Sequence, residues 1–188
     1  RSFVTEADRA AEAAMRAILE SERTDDGIIG EEYGTRNEGA GRQWVLDPID
    51  GTNNFAHGHP WFCLSIGLWD GAAPLLGVVH APAMHLMYAA ASGLGCRRNG
   101  APAHVSSATS LDEALMATGF PHDRARRPDN NYRPFVTLDA RSHGVRRCAA
   151  AALELSMVAD GAYDAFWDAG LKPWDLAAGI LLIQEAGG

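Results

Sequence analysis

Two carboxylates three residues apart, Asp47 and Asp50, close an apolar run and are followed at once by Gly51-Thr52-Asn53-Asn54. Paired acids at a strand end, beside a helix start, are the ingredients of a metal site abutting a phosphate site. Residues three apart point to opposite faces of a regular strand, so these carboxylates converge only if the chain turns after Asp47. Pro48 cannot continue a central strand, and together with Gly51 it gives the chain a reason to turn. Asp47 is therefore expected at the carboxyl end of a short buried strand containing Val45 and Leu46. Thr52 is the expected helix N-cap, where unpaired backbone N–H groups attract anions.

Two further acids stand at similar junctions. Glu31 follows Ile28-Ile29-Gly30, and Asp175 follows Pro173-Trp174 at a predicted helix start. Element ends on a rigid scaffold hold reactive groups in place while leaving them open to substrate. Four acids beside a phosphate dianion repel one another, so cations must intervene. Ligation by oxygen alone favours Mg²⁺, or Mn²⁺, over zinc. Competing motifs fail: an EF-hand loop from Asp47 needs a Glu where Gly58 stands, and the single lysine, Lys172, lies between Leu171 and Pro173 rather than in a P-loop. No Gly-x-Ser-x-Gly elbow is present. His57 and His59 have ligand-like spacing, but no third nitrogen or sulfur ligand lies nearby, which disfavours zinc.

The elements that must position these acids follow from periodicity and turn chemistry. An Ala-rich helix is expected from Thr5 to about Glu22, with Thr5 as N-cap and Asp8 three residues on in the manner of a capping box. Asp26-Gly27 is a turn and residues 35–42 a loop. Phe62–Trp69 and Pro74–His80 read as strands of a hairpin around Asp70-Gly71, with a third strand from Met84 to Ala90. Asn99-Gly100 marks a turn, residues 114–119 a strand, and residues 121–131 a polar loop. Helices are expected over Tyr132–Asp139, Ala149–Val158 and Trp174–Glu185, with a strand over Tyr163–Trp167. Early antiparallel hairpins followed by alternating strands and helices indicate a layered α+β fold rather than a doubly wound sheet. One domain is expected over residues 1–188, with possible subdomains 1–120 and 121–188. A start just before a helix and an end at Gly187-Gly188 give the chain the look of a piece lacking an N-terminal helix and a C-terminal end.

Composition sets the bounds. The chain has 188 residues, 47% hydrophobic, with a formal charge of -8. That is enough apolar material for a sizeable core. A general nucleic-acid binder is expected to show a basic stripe and a high pI, whereas here the arginines form only short clusters, among them Arg124, Arg126 and Arg127 and the pair Arg146-Arg147. The simplest reading of those clusters is solvated faces or subunit contacts, with phosphate steering second. Cys63, Cys96 and Cys148 are odd in number and far apart, as buried thiols of a reducing compartment are. No stretch reaches the length of a membrane span and no signal peptide opens the chain, so a cytoplasmic location is expected.

The segments Val4-Thr5-Glu6-Ala7-Asp8, Gly30-Glu31-Glu32, Asp47-Pro48-Ile49-Asp50-Gly51-Thr52-Asn53-Asn54-Phe55 and Trp174-Asp175-Leu176-Ala177-Ala178-Gly179 resemble the inositol monophosphatase family of Mg²⁺-dependent, lithium-sensitive phosphatases. The four ordered motifs span nearly the whole chain. The resemblance implies a layered α-β-α-β-α sandwich, usually a homodimer. It implies that Glu31, Asp47 and the Ile49 carbonyl bind a first metal, that Asp47, Asp50 and Asp175 bind a second, and that Glu31 faces a weaker third site. Gly51 and Thr52 then offer N–H groups to phosphate, and the Thr52 hydroxyl, backed by Asp8, orients the attacking water. Asp168 matches a carboxylate that hydrogen-bonds substrate hydroxyls. Ala149, Ala150 and Ala151 fall where the family lays a Gly-Ser/Thr-Ala run against the substrate, so a hydroxyl is lost from that wall. The family's upstream loop, with its metal-proximal lysine, falls before Arg1.

The activity so implied is hydrolysis of a small phosphate monoester, with inositol monophosphate as the leading substrate. Histidinol phosphate follows, then fructose bisphosphate and nucleotide 3'-phosphates. A regulatory protein acting through partners in transcription or RNA processing is the alternative of a different class. Simpler roles stand beside each assignment. Asp8 can be only a capping residue, Glu31 and Glu32 solvated loop charges, Asp175 a complement to a helix dipole, and Asp168 a surface acid ending a strand. The tryptophans Trp44, Trp61, Trp69, Trp167 and Trp174 read as core and interface bulk.

Overall fold

A computed structural model describes residues 6–188. The expected capping residue Thr5 lies outside them, and the first helix, α1, runs Glu6–Glu22. Eleven strands follow among the described residues: β1 Gly27–Gly30, β2 Gly34–Arg36, β3 Arg42–Asp50, β4 Cys63–Asp70, β5 Ala73–Ala81, β6 Leu86–Ala91, β7 Cys96–Arg98, β8 Ala101–Ala103, β9 Leu115–Thr118, β10 Gly144–Arg146 and β11 Ala165–Trp167. The remaining helices are α2 Thr52–Ala56, α3 Tyr132–Asp139, α4 Ala151–Ala159 and α5 Pro173–Glu185.

The strands form an eight-stranded sheet in the order β2-β1-β3-β4-β5-β6-β7-β8 and a three-stranded sheet in the order β10-β9-β11. The larger is antiparallel except where β1 runs parallel to β3, and the smaller is wholly parallel. Helices α4 and α5 pack together between the two sheets, α1 lies on β3, and α3 lies on β10. The result is the layered α+β sandwich expected from the sequence. The main core fills the space between the sheets, joining Val79, Tyr88, Leu153, Leu181 and Leu182. A smaller cluster of Ala114, Met116 and Val145 faces Phe135 and Leu138 of α3. Strand β9 lies before residue 120 and its partners β10 and β11 after it, so the small sheet draws on both halves of the chain.

Helix α5 reaches the large sheet because two strand positions have no side chain. A Cβ at Gly67 would lie 2.8 Å from the Ala177 Cβ, and one at Gly77 would lie 2.7 Å from the Ala178 carbonyl oxygen. Both are closer than real side chains approach, and they set the depth at which Asp175 is held.

Several boundaries differ from the sequence reading. Residues 34–36 form a strand rather than loop, since β2 pairs antiparallel with β1 through Ile28, Ile29 and Gly30. Strands β7 and β8 flank the Asn99-Gly100 turn as a small hairpin, and β10 adds a strand that so short a segment did not announce. The larger correction concerns Pro48. Strand β3 continues through it to Asp50, although β3 is central. Pairing with β1 ends at Leu46, and the register with β4 is broken between Asp47 and Asp50. The proline thus occupies a gap in both ladders where no N–H is required. That irregularity provides the turn that the convergence of Asp47 and Asp50 needed.

Candidate active site

The break in β3 brings one carboxylate oxygen each of Asp47, Asp50 and Asp175 within 4.8 Å of one another. Asp47 and Asp50 are 2% and 8% exposed, so these charges are largely withdrawn from water. Asp50 is anchored by one oxygen: the Ala152 N–H at the start of α4 donates to Oδ2 at 2.6 Å, and the Cys63 thiol approaches the same atom at 3.7 Å. Asp175 is the third residue of α5, and its Oδ2 accepts the Lys172 N–H at 2.6 Å. Its helix-terminal role and its place in the cluster therefore coexist. Asp47 Oδ1 is buried without a hydrogen-bond partner.

Such a cluster is unstable as bare anions, and the ionisation of each acid reflects it. Burial, then Asp50 and Glu31, holds the Asp47 carboxyl well above the ordinary carboxylate range. Burial, then Asp175, pushes Asp50 up to about 7. Glu31, just past β1, is likewise raised to about 7 by burial and then by Asp175. It stands in the same field but outside the tight group of three. Burial also raises Asp175. A multivalent cation reverses each of these penalties. The all-oxygen donor set and the orphaned Asp47 oxygen fit a hard divalent ion such as Mg²⁺.

The phosphate side of the site also differs in detail from expectation. Gly51 is the N-cap of α2 and Thr52 its first helical residue. The Gly51 φ of 92° lies in the left-handed region, and a Cβ there would meet the Trp61 carbonyl at 2.9 Å and the Ala150 Cβ at 3.2 Å. A side-chain cap is thus excluded, and the chain turns on glycine instead. The Thr52 hydroxyl lies 3.3 Å from Asp8 Oδ1 and 3.1 Å from the Ile49 carbonyl, so either can accept its one proton while its lone pairs remain available. Asp8, 1% exposed, is therefore tied to the site as well as to α1. Asn54 carries two further links, its amide donating to the carbonyls of Trp61 and Cys148 at 2.7 Å each.

A cavity of about 370 Å³ opens beside Asp50 and Asp175, with Asp168, Ala149 and Ala151 on its walls. Ala150 is not among its lining residues; it is fully buried under Gly51. Glu31 instead borders an adjoining cavity of about 430 Å³ that shares Asp168 and Asp175. Ala149 has a φ of 64°, a conformation glycine adopts without strain. Glu32 is held structurally, its N–H donating to Glu12 Oε2 at 2.7 Å.

Sequence reasoning missed several residues. Glu12, fully buried, accepts from Glu32 N–H, Tyr33 N–H at 3.2 Å and Arg16 Nε at 2.7 Å, fixing the turn that carries Glu31. Glu154 lines the main cavity at 1% exposure and accepts the Cys148 N–H at 3.0 Å. Burial raises its carboxyl to about 8. An acid inside the apolar run of α4 was the available signal. His122, Arg124 and Arg147 also face this cavity, so one member of each arginine cluster is neither a purely solvated charge nor remote from the site. Cys63 and Cys96 are buried free thiols and Cys148 is half-buried, against the expectation that all three are buried.

The α-β-α-β-α sandwich with a carboxylate cluster at a broken strand is the architecture of a class of metal-dependent phosphatases. Within it the chain belongs to the inositol monophosphatase family, whose sequence profile matches residues 1–188. It is 45% identical over 187 residues to the inositol-1-monophosphatase of Synechocystis, covering 99% of this chain and 65% of that protein. It is 44% identical over 193 residues to Nus factor SuhB of Pseudomonas aeruginosa, covering 100% of this chain and 71% of that protein. The inositol monophosphatase structure from Anabaena superimposes with a TM-score of 0.95 at 43% identity, over 98% of this chain and 73% of that one. The chain thus spans about two thirds of the length of such relatives.

Proposed function

We propose that the protein is a Mg²⁺-dependent phosphomonoesterase acting on a small polyol phosphate, with inositol monophosphate the leading substrate. The observation that carries this is the convergence of Asp47, Asp50 and Asp175, with the Asp47 oxygen buried and unpartnered. Asp47, Asp50 and Asp175, with Glu31 and the Ile49 carbonyl, are the groups that would hold two or three Mg²⁺ ions, or Mn²⁺. When bound, such ions lower the pKa of water and stabilise a departing alkoxide. Uncatalysed phosphomonoester hydrolysis is among the slowest reactions, leaving a barrier reduction of about 20 kcal/mol or more to be supplied.

The chain's own residues contribute position. The Thr52 hydroxyl donates towards Asp8 and presents its lone pairs to the attacking water. Backbone N–H groups at Gly51 and Thr52 face the phosphate; because α2 has only five residues, they act as individual donors rather than through a helix dipole. Asp168 and the backbone around Ala149 and Ala151 border the alcohol, and Ala150 supports Gly51 from beneath. A homodimer in the cytoplasm acting on a soluble phosphate ester fits this reading. The relative named as a Nus factor keeps a regulatory role in view, but four intact acids, Glu31, Asp47, Asp50 and Asp175, with Thr52 beside them, support an enzyme.

A panel of phosphate monoesters assayed with Mg²⁺ tests the proposal. Hydrolysis of at least one small polyol phosphate is expected, and absence of turnover on all of them with metal bound would sink it. Asp50→Asn is expected to lower kcat by about a thousandfold or more, the scale of losing a group that stabilises transition-state charge, while circular dichroism remains unchanged. Retained activity would remove Asp50 from the metal site. Inhibition by millimolar lithium is expected, and its absence would count against a third metal position near Glu31.

A further inference from the structure

Strands β9 and β11 end side by side, with Thr118 opposite Trp167, and a buried circuit of hydrogen bonds ties their ends together. Asn131 is 3% exposed and Thr118 fully buried. The Asn131 amide donates to Thr118 Oγ1 at 2.8 Å and to the Gly119 carbonyl at 2.6 Å. Thr118 Oγ1 in turn donates to the Trp167 carbonyl at 2.6 Å, and the Trp167 indole N–H donates back to Asn131 Oδ1 at 2.7 Å. Bonds linked head to tail in a dry interior polarise one another and favour a single geometry. Helix capping does not account for Asn131. It is the N-cap residue of α3, where an asparagine ordinarily accepts from the first helical N–H groups, yet its side chain makes no capping bond. The Trp167 ring meanwhile packs on the cluster of Ala114, Met116 and Val145, so it is a tether as well as core bulk.

What the circuit holds is the residue that follows each strand: Gly119 after Thr118, and Asp168 after Trp167. A Cβ at Gly119 would overlap Asp168 Oδ2, so that carboxylate lies directly on the glycine backbone. Asp168 borders both the catalytic cavity and the adjoining one. The strand end that carries Asp168 and the surface on which its carboxylate rests are thus fixed by one asparagine. We propose that Asn131 is a positioning residue for the substrate's alcohol: through Thr118 and Trp167 it sets Asp168 where a substrate hydroxyl meets it, and so sets the preference for hydroxylated leaving groups. This rests on the phosphomonoesterase reading above, in which Asp168 borders the alcohol. It gives a role in substrate choice to a residue that lines neither cavity.

The test compares myo-inositol 1-phosphate with phenyl phosphate, which offers no hydroxyl to Asp168, using the full chain with Mg²⁺. Asn131→Asp keeps the size of the side chain and the acceptor for Trp167 but loses the amide donors. Thr118→Val opens the circuit at its next member with little change of shape, and is read alone if Asn131→Asp does not fold. In each variant the kcat/KM ratio of the inositol ester to the phenyl ester is expected to fall about tenfold from its native value, with the loss residing in KM; that is the scale of one hydrogen bond to a charged group. Asp168→Ala is expected to lower the same ratio, and combining it with either variant to lower the ratio by less than about twofold more, since residues that act through one another are not additive. A native ratio retained in the variants overturns the proposal. So does an equal loss on both esters, which would make the circuit support for the fold alone, or additivity with Asp168→Ala, which would place its effect elsewhere in the cavity. A ratio unmoved by Asp168→Ala, or a native chain that hydrolyses only the phenyl ester, likewise overturns it. If neither ester is hydrolysed, the phosphatase reading falls, and calorimetric titration with myo-inositol 1-phosphate and Mg²⁺ decides the role of Asn131 separately. Saturable binding weakened about tenfold in the variants supports it; binding that is absent, or equal in native chain and variants, overturns it.

Discussion

At the scale of single residues, the site is governed by positions where the backbone leaves its common conformations. Gly51 meets that requirement with glycine, and Ala149 does not. The left-handed region costs an L residue about 1–2 kcal/mol, while glycine loses about 0.5–1 kcal/mol more backbone entropy on folding. Ala149→Gly is therefore expected to stabilise the protein by about 0.5–1 kcal/mol, read as a higher urea midpoint with unchanged slope. A lower midpoint would mean that Ala149 is not strained. The acids themselves were legible because Asp50, Glu31 and Asp175 stand at element ends and Asp47 at the break in β3 that Pro48 announces. Glu12 and Glu154 were not. Their importance comes from partners 20 residues away in one case and from a cavity wall in the other, and helix periodicity carries neither fact.

Among elements, long periodic segments could be read and short ones could not. Helices α1, α3 and α5 and the β4–β5 hairpin follow from apolar spacing and turn residues. Strand β3 was foreshortened because proline is normally barred from central strands; only tertiary pairing shows that both neighbouring ladders lapse at Pro48. The turn after β1 depends on another element altogether. Glu12 of α1 holds the N–H groups of Glu32 and Tyr33 and pairs with Arg16, whose guanidinium also reaches the Gly34 carbonyl. Glu12→Ala leaves buried donors and a cation without their acceptor, a change that typically costs about 3–5 kcal/mol. Chemical denaturation is expected to show a loss of that order, together with weaker Mg²⁺ binding as Glu31 loses its position. A loss below about 1 kcal/mol would show that the turn holds without Glu12.

For the whole molecule, the sequence indicated layered α+β and the motifs indicated which layers. It did not indicate that Arg124 and Arg147 come together at one cavity, because their spacing has no period in common with any element. The assembled site has a consequence for stability. Asp47, Asp50, Glu31 and Asp175 all bind protons more tightly folded than unfolded, with Asp50 and Glu31 raised to about 7. The unfolded chain releases those protons near pH 4. Their contribution to stability without metal is therefore full below about pH 4 and is lost as pH rises through about 7. Mg²⁺ held as proposed would meet the deprotonated acids, so its stabilising effect is expected to grow over the same range. At a concentration about 100 times its Kd, a ligand specific for the folded state adds about 2.7 kcal/mol. For a chain of this size that corresponds to a rise in Tm of roughly 5–10 °C. Thermal unfolding at pH 5.5 and pH 8, with EDTA or Mg²⁺, is expected to show the larger Mg²⁺ shift at pH 8 and a smaller one at pH 5.5. Asp47→Asn removes one of the mutually repelling buried acids, and it is expected to flatten the fall in metal-free stability between the two pH values. Equal Mg²⁺ shifts at both pH values, or a metal-free Tm that rises from pH 5.5 to pH 8, would mean that these four carboxylates do not form the coupled cation site.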